Sequence, residues 1–208
     1  MKIAILTLAS DIFADLFQLS APNKLEYCLK WKLDLLVGHM DIPSPGNTLD
    51  YQRQQAILDA FKRYDWVWFL GADTLIMNQT IDVKQFLDPN ADFIIAQDPN
   101  GLNNDSCFYR KCDETIEFIN RTIKHLDTEP HDWYAQSATR RDMPNFKLKI
   151  VPQKLFNCYP FSTEVAFSGY PKNLEGDYKD GDFVLHLPSI SNDRRIQIFR
   201  EQLPKVIK

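Results

Sequence analysis

The run Trp66-Val67-Trp68-Phe69-Leu70 constrains this chain more than any other segment. Apolar, aromatic-rich and short, it reads as a buried strand. It ends abruptly at Gly71-Ala72-Asp73, before Thr74-Leu75-Ile76-Met77-Asn78. In open α/β sheets, ligands sit just beyond the carboxyl ends of strands. A carboxylate at that place suits a divalent cation that carries a substrate's phosphates.

The rest of the chain supplies a sheet for this strand. Lys2 to Leu8 reads as a first strand. Lys24 to Lys32 reads as a helix with Pro22 near its first turn. Leu33 to Val37 is a short strand closed by Gly38, and Ile42 to Gly46 is a loop by its Pro and Gly content. Leu49 to Tyr64 places Ile57, Leu58 and Phe61 at helical spacing. Phe93 to Gln97 is a further strand. Beyond it, strands are expected at 108–110, 147–151 and 183–187, and helices at 113–125 and 133–139. A final helix begins near Ser191 or Asn192, either of which is a good N-cap. Strands alternating with helices predict an α/β fold with a mostly parallel central sheet flanked by helices. No linker or repeat interrupts the 208 residues, so a single domain is expected.

Composition narrows the function classes. The formal charge is −4, so no general basic character argues for nucleic acid or an anionic membrane. No stretch approaches the roughly 20 apolar residues of a membrane span. The first eight residues read as a strand rather than a signal peptide. Cys28, Cys107, Cys112 and Cys158 lack zinc-ligand spacing and read as reduced thiols. A soluble, cytoplasmic protein is the expectation, with no nucleic-acid partner.

Several residues could carry chemistry, and each has a bland alternative. Asp73 suits a cation but also suits a turn. Asp98 again ends a strand, or simply forms a turn before Pro99. His186 closes the last strand as a possible ligand for a manganese-like ion, or as a satisfied core histidine. Arg53 lies early in a helix, and Arg194 and Arg195 open the last one. A helix N-terminus with guanidinium groups suits a diphosphate; the alternative is a solvated helix face.

The ordered motifs resemble GT-A glycosyltransferases, most of all the galactosyl/xylosyl transferase family of the α-mannan and xyloglucan type. Features of glycogenin-like and bacterial galactosyltransferases are also present. The family's WWxDxD strand with its apolar run and Asn is matched by Trp68 to Asn78. Its Asn/Gly motif resembles Gly101 to Arg110, and its DQSA segment resembles Ala135-Gln136-Ser137-Ala138. Ile150 to Pro152 and Phe156-Asn157-Cys158-Tyr159 resemble the strand and Asn-Tyr pair that follow. The terminal GDxxxH resembles Gly181 to His186, and the Tyr-x-Arg of the bacterial and glycogenin-like relatives resembles Tyr51-Gln52-Arg53. The match runs in order from about Met1 to His186. Two positions depart from it: Gly71 replaces the first Asp of DxD, and Ala135 replaces the Asp before Gln136.

The resemblance implies transfer of a sugar from a nucleoside diphosphate, with uridine as the base, to a glycan or other hydroxyl acceptor. It implies dependence on Mn2+ or Mg2+ and retention of anomeric configuration. Asp73 and His186 would hold the cation. Thr7, Leu8 and Ala9 would face the base and ribose, with Arg194 or Arg195 at the diphosphate. Arg53, Asp98 and Asn103 would hydrogen-bond the donor sugar. Gln136 and Asp98 are the candidate catalytic residues, Gln136 lying beside the anomeric carbon. Compactness and the lack of a membrane anchor depart from the family's Golgi members and suggest a soluble microbial or viral transferase acting on glycans within a host cell. Two alternatives stand beside it. One is a degenerate nucleotide- or glycan-binding module. The other is a sugar nucleotidyltransferase, which would need a basic Gly-rich loop that Leu8-Ala9-Ser10-Asp11 does not offer.

Overall fold

A computed structural model describes residues 1–41, 48–99, 101–126, 147–160 and 174–208. Among the described residues eight strands run in chain order: β1 (Ile3–Ala9), β2 (Asp34–His39), β3 (Trp66–Leu70), β4 (Thr74–Ile76), β5 (Phe93–Asp98), β6 (Gly101–Arg110), β7 (Leu148–Pro152) and β8 (Val184–His186). The α-helices are α1 (Ala14–Trp31), α2 (Leu49–Ala60), α3 (Asp113–Leu126) and α4 (Asn192–Gln202). Six strands form one sheet in the order β2-β1-β3-β6-β5-β7, and β4 pairs with β8 apart from it. The sheet is parallel except for β6, which is antiparallel to both β3 and β5.

The buried run in β3 explains the layering. Trp66, Trp68 and Leu70 point to one side and pack with Ile3, Ile5 and the α1 residues Tyr27 and Cys28. Val67 and Phe69 point to the other and pack with Ile57 and Ala60 of α2 and Phe118 and Ile119 of α3. Period-two alternation on a strand covered on both faces yields such a continuous apolar sequence. A third cluster joins Leu75, Met77, Leu185 and Leu187 to Ile198 and Phe199 of α4.

Several boundaries differ from the sequence expectation. α1 starts at Ala14, so Pro22 lies inside the helix rather than at its first turn. Buried Leu16 and Ser20 before it, and Asn23 and Lys24 after it, anchor the helix on both sides of the proline. Tertiary contacts thereby override the local preference. α2 stops at Ala60, where Lys62 and Arg63 form i→i−3 bonds to Asp59 and Ala60. β2 continues through Gly38, where a Cβ would meet Leu8 Cδ2 at 2.6 Å. β6 is ten residues long instead of three, and β4 has no counterpart in the sequence reading. The final helix begins as expected, with Ser191 Oγ accepting from Arg194 N–H. The expected loop 42–46 and helix 133–139 lie outside the described residues. The four cysteines are free. Among the described residues no helix is long and apolar enough to cross a membrane.

Candidate active site

The short β4–β8 ladder brings Asp73 and His186 together. Thr74 pairs with His186, and Leu187 N–H donates to the Asp73 carbonyl at 3.0 Å. Residues over a hundred positions apart are thus fixed side by side just beyond the end of β3. Asp73 Oδ1 lies 3.4 Å from His186 Nε2, and Asp73 Oδ2 lies 3.4 Å from Arg195 Nη2. His186 is fully buried. Burial alone would raise the Asp73 carboxyl, but His186 and Arg195 hold it below its usual range. Burial would likewise lower the His186 pKa, yet the Asp73 carboxylate outweighs it and raises it.

His186 is oriented from behind. Its Nδ1 lies 2.7 Å from Asn157 Oδ1, which can only accept, so Nδ1 carries the hydrogen. Tyr159 packs edge-on against the imidazole with ring centroids 5.1 Å apart. Asn157 Nδ2 donates to Tyr159 Oη, and Tyr159 Oη donates to Asp98 Oδ2 at 2.6 Å. Asn103 Nδ2 bonds both Asp98 Oδ2 and Tyr159 Oη. Asn103 Oδ1 accepts from Asp105 N–H, and Asp105 Oδ1 pairs with Arg53 Nη1 at 3.1 Å. A polar network therefore runs from Asp73 through His186, Asn157, Tyr159 and Asn103 to Asp105. Tyr159 is fully buried within it.

Can these groups hold a cation? His186 Nε2 is buried and has no hydrogen-bond partner. Its 3.4 Å separation from Asp73 Oδ1 exceeds the usual 2.7–2.9 Å or so of a charge-assisted hydrogen bond. Ligand atoms bound about 2.1 Å from a small divalent ion lie about 3 Å or more apart when adjacent. An imidazole lone pair aimed at a carboxylate across such a gap fits a shared cation.

Around Asp73 a cavity of ≈ 180 Å³ is lined by Leu8, Arg53, Phe69, Gly71 and Asp105, among others. Thr7 and Ala9 flank Leu8 on β1 and are buried; Thr7 Oγ1 has no hydrogen-bond partner. Arg53 is buried, pairs with both Asp50 and Asp105, and lies over the Phe69 ring at 5.2 Å. Arg195 faces Asp73 and is braced by the Leu187 carbonyl and Asn192. Arg194 instead has its guanidinium 3.9 Å from Glu201 on the outer face of α4. Asp98 lines a separate, larger cavity of ≈ 850 Å³ with Gln97, Ile150, Gln153, Lys154 and Glu175. The polar network links it to Asp73. Gln136 and Ala135 lie outside the described residues.

Asp105 and Asn157 carry no chemical role in the sequence reading. Asn157 sits in the Asn-Tyr pair, and an amide two residues before a buried Tyr is its only signal. Asp105 has weaker signal still, one polar residue among Asn103, Asn104 and Ser106.

With this geometry in view, comparison with known proteins is informative. Residues 7–92 match the galactosyl transferase GMA12/MNN10 family. The chain is 23% identical to the probable alpha-1,2-galactosyltransferase gmh2 of Schizosaccharomyces pombe, covering 83% of this chain and 60% of that protein. An alpha-1,2-galactosyltransferase of the same yeast is also 23% identical, over 68% of this chain and 46% of its own length. The chain thus spans roughly half the length of the curated relatives it matches. A solved glycosyltransferase involved in glycosylation of the major capsid of PBCV-1 superposes with a TM-score of 0.75. It covers 97% of this chain and 100% of its own, at 13% identity. The chain has the GT-A fold. The galactosyltransferase LgtC shares it with a TM-score of 0.58 over 99% of this chain and 96% of its own, at 11% identity. The GT-A sheet carries Asp73 at the carboxyl end of β3, the place where open α/β sheets bind ligands.

Proposed function

We propose that this chain is a glycosyltransferase that moves a sugar from a nucleoside diphosphate to a glycan hydroxyl. The donor is read as a uridine diphosphate sugar, the cation as Mn2+ or Mg2+, and the outcome as retention. The observation that carries this reading is the buried, unpartnered Nε2 of His186 facing Asp73 beyond the end of β3. The resemblance of residues 7–92 to galactosyl transferases supports it. All 208 residues are taken as one domain.

The residues have distinct tasks in this reading. Asp73 and His186 hold the cation, and Asn157 keeps the His186 lone pair directed at it. When bound, the cation supplies a positive charge that offsets the negative charge building on the leaving diphosphate. Arg195, already braced at Asp73, adds a fixed cationic group beside that diphosphate. Leu8, with Thr7 and Ala9, offers the β1 end to the nucleoside. Arg53 and Asn103 hold the donor sugar, and Gln136 is the candidate catalytic amide. An amide is a poor nucleophile, so front-face substitution is the favoured route. The larger cavity beside Asp98 is the acceptor cleft.

UDP-galactose is the first donor to test, because both curated relatives are named galactosyltransferases. Asp73→Asn should lower Mn2+-dependent donor hydrolysis at least about 100-fold while circular dichroism stays unchanged. Turnover equal to the parent protein would remove Asp73 from the site and the reading with it.

A further inference from the structure

The turn that follows β1 closes on the guanidinium of Arg195. β1 ends at Ala9, and Asp11–Phe13 form one turn of 3-10 helix, with Phe13 N–H donating to the Ser10 carbonyl at 2.9 Å. Arg195 Cζ lies over the Phe13 ring, 5.4 Å from its centroid. Asn192, one helical turn before Arg195 on α4, joins the same two partners. Its Oδ1 accepts from Arg195 Nη1 at 2.8 Å, and its Nδ2 donates to the Ile12 carbonyl at 2.8 Å. Phe13 also packs against the apolar cluster of Leu75, Leu185 and Ile198, and it lines the cavity around Asp73. The other guanidinium nitrogens are directed too: Nε donates to the Leu187 carbonyl at 2.7 Å, and Nη2 faces Asp73 Oδ2 at 3.4 Å. Beyond these partners Nη1 and Nη2 each carry one further N–H for a ligand oxygen.

We infer that Phe13 and Asn192 are positioning residues, which together hold the Arg195 guanidinium in the orientation that presents it to a diphosphate in the Asp73 cavity. This rests on the reading of that cavity as a nucleoside diphosphate site. The two residues divide the task. A planar cation stacks on an aromatic face and keeps its edge, where the N–H donors lie, free for oxygens, so Phe13 sets the plane. Asn192 sets the rotation within that plane and ties it to the backbone at Ile12. A free arginine loses rotamer freedom when it meets an anion, whereas a clamped one has lost it already, so the anion binds more tightly. The turn continues directly from β1, whose end is read as the place of the nucleoside. The clamp therefore fixes Arg195 relative to both ends of the same ligand.

UDP binding in the presence of Mn2+, read by calorimetry, provides the test. Phe13→Leu, Phe13→Tyr and Asn192→Ala are each made in the parent protein and in Arg195→Ala, with folding checked by thermal melting. Phe13→Leu keeps apolar bulk without the ring, and Phe13→Tyr keeps the ring. In the parent background Phe13→Leu and Asn192→Ala should each weaken UDP about fivefold or more, while Phe13→Tyr stays within about twofold. In the Arg195→Ala background the same changes should cost less than about twofold, since the group they orient is gone. An undiminished loss in that background overturns the inference, because the two residues then act on the ligand or the fold without Arg195. Parent-like affinity in both Phe13→Leu and Asn192→Ala also overturns it and leaves the diphosphate site standing. No UDP binding by the parent, with or without Mn2+, overturns the diphosphate site itself.

Discussion

At the residue scale, the site is decided by which nitrogen of His186 bears its proton. Asn157 Oδ1 accepts from Nδ1, so once the ring is neutral its lone pair lies on Nε2, toward Asp73. Outer partners of this kind hold the ring and its tautomer, and their loss typically weakens metal binding 10–100-fold. Asn157→Ala should therefore weaken Mn2+ binding about tenfold or more by calorimetry, whereas Asn157→Asp, which still accepts from Nδ1, should restore it to within a few-fold. Equal losses in both variants would mean that Asn157 acts through packing alone. The residues differ in how openly the sequence announces them. Asp73 and His186 were readable because an acid or imidazole ending an apolar strand is conspicuous. Asp105 was not, because a carboxylate within a polar run has no pattern to break. It reaches the cavity around Asp73 through the β3–β6 pairing.

At the element scale, strands with aromatic or β-branched runs were readable, and β3 was found to the residue. The first half of β6 was not, because Asn103, Asn104, Asp105 and Ser106 look like a loop. They remain in a strand because most of their polar groups are met inside the fold, by Asp98, Tyr159, Arg53 and the Phe156 carbonyl, although Asn104 Nδ2 is not. β4 was hidden by its length of three residues. Its position depends on α1, which grips it with polar side chains. Asn23 both donates to the Ile76 carbonyl and accepts from its N–H, and Lys24 Nζ donates to the Thr74 carbonyl at 2.9 Å. Lys24 is buried, and among the described residues no carboxylate forms an ion pair with it. Burial pushes its pKa down to about 7, against the pull of Asp73. The unfolded chain has its lysine near 10.4, so between about pH 7 and 10 it binds more protons than the folded one. Lys24 therefore costs stability in full below pH 7, and the cost fades as pH rises to about 10. Lys24→Met should be more stable than the parent near pH 6. That advantage should shrink by about 3–4 kcal/mol by pH 10 in urea denaturation. The difference between the two proteins is the quantity to read, because the raised thiols of Cys28, Cys107 and Cys158 pull the other way at alkaline pH. A gap independent of pH would show that Lys24 does not titrate in this window.

At the scale of the whole molecule, the α/β class was readable because strand and helix periods alternate along the chain. The antiparallel insertion of β6 was not, since pairing direction leaves little trace in a single strand's sequence. That insertion matters for the site, because it brings Asp105 to the cavity around Asp73. The groups around Asp73 come from β1, α2, β6, β8 and α4, as well as the link after β3. A ligand bound among them ties the main sheet to the β4–β8 pair and to α4. These groups converge only in the folded chain, so such a ligand stabilises the native state by mass action, about 2.7 kcal/mol at a hundredfold excess over Kd. For a chain of this size each kcal/mol raises Tm by about 2–4 °C. Mn2+ with UDP at that excess should raise the melting temperature by about 5–10 °C. Mn2+ alone at the same concentration should do less, because the diphosphate adds its own ligands and its contacts with Arg195. Asp73→Asn should lose most of the combined shift, and Arg195→Lys should lose chiefly the UDP-dependent part, as a point charge cannot keep the braced guanidinium geometry. A shift that is the same in the parent and in Asp73→Asn would place the ligand elsewhere on the molecule, because a cation held by Asp73 cannot stabilise the chain equally without it.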